Sequence, residues 1–358
     1  AGLAGYLAYD YGRQLEALPE QARHDIPLPD LAFGLYDWSL VSDHQQQRCW
    51  LVCHPSVSPG RQAQLLTALE QPTERTSAFS LTTPFGADQS QSQYAAAFER
   101  IQQYIHAGDC YQINLAQRFS ATFSGDPLEA YTRLRERSPT PFSAYLEIPG
   151  GALLSLSPER FIEVREGRVE TRPIKGTRPR GQSADEDHAL AQELLGCNKD
   201  RAENLMIVDL LRNDLGRSCQ PGSIRVPELF SLESYPNVHH LVSSVTGQLR
   251  DDCDAIDLLM RAFPGGSITG APKIRAMQII EELEPVRRSL YCGSVGYLGC
   301  EGQMDFNIAI RSLICHGQRI HCWGGGGIVA DSVMELEYQE TLTKVGNLLN
   351  TLQPACPF

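Results

Sequence analysis

The sequence predicts an α+β protein in which antiparallel strands and long helices occupy separate stretches of chain, and three observations carry that prediction. Between residues 110 and 173, short alternating apolar and polar runs follow one another with glycine-bearing turns between them, as antiparallel strands do. From Ser183 to Leu211 the period lengthens to that of helices with no strand between. Strand-like runs return at Ser294 and the chain then closes in one long helical stretch, so the order is not the regular βαβ alternation of a parallel sheet.

Residues 1–85 read as short strands and loops, with the proline-rich LPEQARHDIPLPD and then a polar stretch from Ser77 to Ser92 marking a boundary. This segment is expected to be a supporting lobe, and residues 86–358 the catalytic domain. The chain starts at Ala1 inside the strand-like LAGYLAYD, and the expectation is that an earlier part of this lobe is missing. Tyr94, Phe98, Ile101 and Ile105 form a helical stripe that stops at Gly108, and the alternating CYQINLAQRFSATF follows as a strand. Further strands are expected at Ser143 to Ile148, Leu153 to Ser155, Phe161 to Arg165 and Val169 to Pro173. Ser183 with Glu186 forms a capping-box pattern that opens a helix to about Leu195, and a second helix runs from Lys199 to Leu211. Pro272 starts another, with Ile274, Met277, Ile280 and Leu283 along one side, and it ends before Pro285. Strands at Ser294 to Leu298, Phe306 to Ile314 and Arg319 to Trp323 precede a last helix from Met334 to Leu352.

Composition narrows the function classes. The 358 residues are 42% hydrophobic and 21% charged, without low-complexity tracts, which suits a compact globular protein. A formal charge of -12 disfavours nucleic acid, whose phosphates are bound by clustered Lys and Arg, and leaves a small molecule or a protein as the expected partner. No apolar run approaches the roughly 20 residues of a membrane span, and no basic-then-apolar leader is present, so the expected location is the cytoplasm, away from any membrane. Eleven scattered cysteines lack the spacing of a disulfide framework, and reduced thiols are expected. His44, Cys49, Cys53 and His54 fit no common zinc spacing.

Several residues are candidates for chemistry, each with a plainer reading beside it. Asp200 with Glu203, and Glu337 with Glu340, sit three apart on expected helices, so each pair shares a helix face. Four converging carboxylates would repel unless a hard cation such as Mg²⁺ lay between them; two solvated helix faces is the alternative that spacing alone favours. The run Gly324 to Gly327 offers close-approaching backbone amides to an anion, or is a flexible turn. PGGSITGAPK lacks the Gly-Lys-Ser/Thr ending of a phosphate loop, which argues against a nucleotide there. Lys175, beside the basic turn TRPRG, is a candidate amine nucleophile or a surface lysine. Glu159 in SPER is a general acid if burial raises its pKa, or an exposed turn residue. His240 is an acid, base or donor, or a structural histidine. Arg311, in an expected strand, has the planar fork that binds a carboxylate with two hydrogen bonds.

Taken in order, SPERF, PIKGTRPRG, DRAENLMIVDLLRNDLGR, HHLVSSVTG, FPGGSITGAPKIRAM, GSVGYL, MDFNIAIRS and GGGGIVADSVMELEYQET resemble the motif set of the chorismate-utilising enzymes, the anthranilate synthase component I family. The resemblance runs from about Tyr94 to the C-terminus. It implies a two-lobed α+β fold of stacked antiparallel sheets flanked by helices, with the site between them. It also implies that Glu203 and Glu340 bind Mg²⁺ with Asp200 and Glu337 in the same cluster, and that Arg311 and Tyr291 hold the enolpyruvyl carboxylate. Ser267 and the amides near Gly326 and Gly327 would seat the ring carboxylate, with Thr177 also at the substrate. Glu159 would be the acid for the leaving 4-hydroxyl, and His240 would lie near the reacting centre.

Within that family, anthranilate synthases have Ala where this chain has Lys175 in PIKGT. The lysine implies the branch that makes 4-amino-4-deoxychorismate for 4-aminobenzoate and folate, through a covalent adduct of Lys175 at C2 of chorismate. Gln112 stands where isochorismate and salicylate synthases carry a water-activating lysine, which argues against both. No amidotransferase sequence is present, so ammonia is expected from glutamine through a separate amidotransferase subunit. An anthranilate synthase large subunit is the nearest alternative, and a silent partner that has kept the fold is a second, although the acidic pairs and Arg311 are all in place.

Overall fold

The computed structural model describes residues 1–71, 77–235 and 238–353. Two antiparallel sheets dominate it. The first has nine strands in the spatial order Ile174–Pro179, Val238–Gln248, Arg168–Arg172, Arg160–Arg165, Met304–Asn307, Ser294–Gly299, Gly2–Leu7 and Leu31–Tyr36, with Arg225–Ser234 also paired to Val238–Gln248. The second has eight, in the order Gly270–Ala271, Gln112–Ser124, Arg319–Ile328, Ser312–His316, Gly151–Ser157 and Phe142–Ile148, with the short strands Ser80–Leu81 and Gly86–Ala87 added to Gln112–Ser124. One buried apolar cluster contains Phe161, Val164, Val295 and Phe306 from the first sheet and Ala116, Leu153, Ile314 and Trp323 from the second, so the sheets share a core.

Some helices carry both an apolar stripe and a side-chain cap, and others only one of the two. Gln91–His106 opens on a full capping box between Ser90 and Gln93, and buries Tyr94, Phe98 and Ile101. At Ala184–Gly196 only half of the expected box is made: Ser183 caps the Glu186 amide, but Glu186 turns back to the Gln182 amide at 2.8 Å. Asn198–Gly216 and Met334–Leu352 are each 19 residues long and carry the two acidic pairs. Pro59–Glu70, capped by Ser58, is a helix within the stretch expected to hold only strands and loops. Its leucines do not share one buried face: Leu65 is buried while Leu66 and Leu69 are exposed.

Two expected strands differ in the structure. Phe306 to Ile314 is not one strand: Met304–Asn307 lies in the first sheet and Ser312–His316 in the second, and residues 308–311 cross between them. Arg311 makes the turn with φ 51°, a left-handed conformation that alternation in sequence does not announce. Arg319 to Trp323 continues through the glycine run to Ile328, pairing Gly324 to Gly327 with Gln117 to Asn114. The glycines are therefore sheet, not loop. On the Lys273–Leu283 helix the apolar side is centred on Ala276, Met277, Ile279 and Ile280, while Ile274 is 44% exposed.

A buried ion pair locks the parts together. Arg288 is among the largest fully buried side chains and holds Glu284 through bonds of 2.9 and 2.6 Å. It also donates to the carbonyls of Ile268 at 2.9 Å and Asn114 at 2.6 Å, and Glu284 accepts from the Ala116 amide at 2.9 Å. Strand, loop and helix thus meet on one guanidinium, through four hydrogen bonds from its planar fork.

Candidate active site

Glu159 lies where the chain passes from Gly151–Ser157 in the second sheet to Arg160–Arg165 in the first. Its backbone is pinned: the Glu159 amide donates to Ser157 Oγ at 3.1 Å, and its carbonyl accepts from the Ile308 amide at 3.0 Å. The side chain is buried and accepts from Ser267 Oγ at 2.8 Å. Lys175, on the edge strand Ile174–Pro179, donates from Nζ to the Ser267 carbonyl at 3.3 Å. Ser267 therefore links the candidate nucleophile to the candidate acid. Burial raises the Glu159 pKa to about 7 against the opposing pull of Lys175, so the carboxyl holds a proton near neutrality.

Across the adjoining strand pair, Thr177 faces His240, and Thr177 Oγ1 lies 2.9 Å from His240 Nδ1. Burial first, and the Arg311 guanidinium second, push the His240 pKa down to about 4, so the ring is neutral at pH 7. It acts there as a hydrogen-bonding group rather than a cationic acid. Arg311 donates to the Lys344 carbonyl on the last helix. Tyr291 is buried and stacks on Trp323 with ring centroids 5.8 Å apart and 7° between planes.

The glycine strand connects these groups to the carboxylates. A Cβ at Gly325 would lie 2.9 Å from Tyr291 Oη, and one at Gly326 only 3.1 Å from Glu337 Oε2 and 3.5 Å from Glu340 Oε1. A side chain there would fill the space that these groups face. A Cβ at Gly327 would meet the Gln112 amide at 3.1 Å, and neither atom of that buried amide has a hydrogen-bond partner among the described residues. Asp200 lies against Gly176, next to Lys175, and its buried Oδ2 likewise accepts no hydrogen bond among the described residues, with Arg178 Nη2 at 3.4 Å.

The acidic side chains converge, but with lysines among them. Lys199 Nζ stands 3.4 Å from Glu337 Oε1 and 3.9 Å from Glu203 Oε1, and Lys344 Nζ stands 2.6 Å from Glu340 Oε1. Burial raises the Glu203 pKa, with Asp200 and Glu337 adding to it and Lys175 and Lys199 opposing, which places all of these charges near one another. Burial would raise Glu340 too, but Lys344, with Lys199 and Lys175, outweighs it and the net shift is downward. Among the described residues no three His, Cys, Asp or Glu side chains stand in a metal-ligand arrangement. The donor chemistry nevertheless fits a hard dication: all donors are carboxylate oxygens, and one of them, Asp200 Oδ2, is buried without a hydrogen-bond donor among the described residues. Lys199 and Lys344 were not among the residues singled out in the sequence, although each is four positions from a named glutamate and so on its helix face.

Two sheets meeting over a floor of glycine, with carboxylates on facing helices and a lysine joined to a buried acid, define a class, and the chain belongs to the chorismate binding enzyme family, matching it over residues 1–350. It is 52% identical to aminodeoxychorismate synthase component 1 of Escherichia coli (strain K12), over 98% of this chain and 77% of that protein. It is 40% identical to anthranilate synthase component 1 of Mycolicibacterium smegmatis (strain ATCC 700084 / mc(2)155), over 99% of this chain and 72% of that one. The crystal structure of anthranilate synthase component I from Streptococcus pneumoniae TIGR4 superposes with a TM-score of 0.86 at 34% identity, covering 97% of this chain and 80% of that one. No helix among the described residues is long and apolar enough to cross a membrane.

Proposed function

We propose that the chain aminates chorismate at C4, giving 4-amino-4-deoxychorismate, and does so as the chorismate-converting component of a two-subunit enzyme. The observation that carries this reading is the contact chain Lys175, Ser267, Glu159, which puts an amine and a protonated carboxyl at one site. The greater identity to an aminodeoxychorismate synthase component 1 than to an anthranilate synthase component 1 supports it.

In this mechanism the Lys175 amine, having given up a proton, adds to C2 of chorismate, the ring double bond shifts, and the C4–O bond breaks. Glu159 supplies the proton with which the hydroxyl leaves as water, and a carboxyl near 7 suits that task at physiological pH. Ammonia then adds at C4, the double bond shifts back, and the C2–N bond to Lys175 breaks, which restores the amine. Arg311 and Tyr291 bind the enolpyruvyl carboxylate, while Ser267 and the backbone around Gly326 and Gly327 seat the ring carboxylate. Thr177 fixes the His240 ring beside them through the 2.9 Å contact. Glu203 and Glu340, with Asp200 and Glu337, would hold a Mg²⁺ ion, which would supply positive charge to the ring carboxylate. Ammonia comes from a glutamine amidotransferase subunit.

Incubation of the chain with chorismate, Mg²⁺ and an ammonium salt, with and without a lyase that releases 4-aminobenzoate, tests the proposal. Lyase-dependent 4-aminobenzoate is expected. Anthranilate with pyruvate would overturn it in favour of ring amination at C2.

A further inference from the structure

We infer that Lys199 is a displaceable counter-ion of the carboxylate cluster, an ammonium that must leave for the divalent cation to enter. The inference rests on the metal assignment just proposed and adds a competitor to it.

Besides Lys175, two lysines stand in ion-pair contact with this cluster, and they are held differently. Lys344 is fixed at both ends of its reach, with Nζ 2.6 Å from Glu340 Oε1 and donating to the Gly325 carbonyl at 2.8 Å. Lys199 has no such anchor. Its contacts are the longer ones, 3.4 Å to Glu337 Oε1 and 3.9 Å to Glu203 Oε1, and its side chain is 53% exposed. A flexible four-carbon stem in a half-open position loses little when it swings back to water.

The carboxylates it leaves behind cannot do the same. The Glu337 side chain is 3% exposed, and apart from Lys199 its Oε1 is met by Ser332 Oγ at 2.7 Å. Its Oε2 lies over Gly326, on the site floor. Glu203 is 17% exposed and comes from the facing helix. Lys199 is thus the charge that bridges the Asn198–Gly216 and Met334–Leu352 helices, and its departure leaves a nearly buried carboxylate without a cation. A divalent ion with oxygen preference meets that demand with twice the charge. The geometry sets metal and lysine against each other for the same oxygens.

The test uses Mn²⁺ as the probe, titrated without chorismate and followed by the electron paramagnetic resonance of the free ion, in the wild type, Lys199→Met and Lys199→Arg. Lys199→Met keeps most of the stem and removes the charge. It is expected to bind Mn²⁺ about two- to fivefold more tightly than the wild type, the size that follows from removing one partly exposed ion pair. Lys199→Arg should stay near the wild type. Without metal, Lys199→Met should melt at a lower temperature, and Mn²⁺ should raise its melting point more than it raises that of the wild type. Binding by Lys199→Met that is unchanged or weaker would overturn the proposal and make Lys199 a support of the metal site. If neither protein bound Mn²⁺ while the wild type still converted chorismate, the metal assignment would fall and take this inference with it. Glu340→Gln serves as the control, weakening Mn²⁺ binding in both backgrounds if the metal assignment holds.

Discussion

Glu159 is the residue whose environment makes the most specific demand on pH. It can give up a proton only while it holds one, and burial puts its pKa at about 7. Turnover is therefore expected to fall as pH rises through about 7, and Glu159→Gln to cost roughly 10²–10⁴-fold in kcat, the usual range for a general acid. A pH–rate profile of both proteins checks this, and a wild-type rate still rising above pH 8 would remove Glu159 from the role. The same shift bears on stability. Its folded pKa lies above the ordinary 4.5, so its contribution is full below that value and is lost as pH rises through 7. Lys175→Ala should abolish the covalent adduct that mass spectrometry of the quenched enzyme detects, and persistence of an adduct would point to another nucleophile. The identities of these residues were legible from ordered motifs, but their environment was not. Nothing in SPER announces that Glu159 is buried, and the hydroxyl that meets its carboxyl, Ser267, lies 108 positions along the chain. The lysines of the acidic cluster were overlooked although their four-residue spacing from Glu203 and Glu340 is plain, since exposed pairs of that kind are common on helices.

At the level of elements, the ion pair of Glu284 and Arg288 joins a helix end to the Ser267 loop and the Gln112–Ser124 strand. Arg288→Leu leaves Glu284 charged in a dry setting and is expected to cost about 3–5 kcal/mol, measured by urea unfolding. Adding Glu284→Gln should recover part of that loss, because the stranded charge is gone. A loss below about 1 kcal/mol in the single variant would show that water reaches the pair. Helices with both a cap and a stripe, such as Gln91–His106, could be placed from the sequence. The glycine strand could not, because a run of glycine has no alternation and low strand propensity, and it is held by pairing with residues 114 to 117 and by the helix packed across it. The break at residues 308–311 was hidden for the opposite reason: apolar Ile308, Ala309 and Ile310 keep the look of a strand while crossing between sheets.

For the whole molecule, the first sheet closes through distant segments, since Gly2–Leu7 pairs with Ser294–Gly299 and with Leu31–Tyr36. The Asp10 carboxylate accepts from the Ser289 amide at 2.8 Å, and Arg13 reaches Glu281. Deleting residues 1–36 should therefore abolish a cooperative thermal transition as well as chorismate turnover, and a deletion variant that melted like the full chain would show that the remaining strands suffice. The two halves of the acidic cluster are just as far apart in sequence, with Glu203 on one helix and Glu340 on another that ends at Leu352. During synthesis at roughly 5–20 residues per second, the first half waits on the order of 7–30 s for the second to leave the ribosome. For that interval the nascent chain carries Asp200 and Glu203 with no opposing helix, and substrate has nowhere to dock. Catalytic competence is thus acquired only once the Met334–Leu352 helix has been translated.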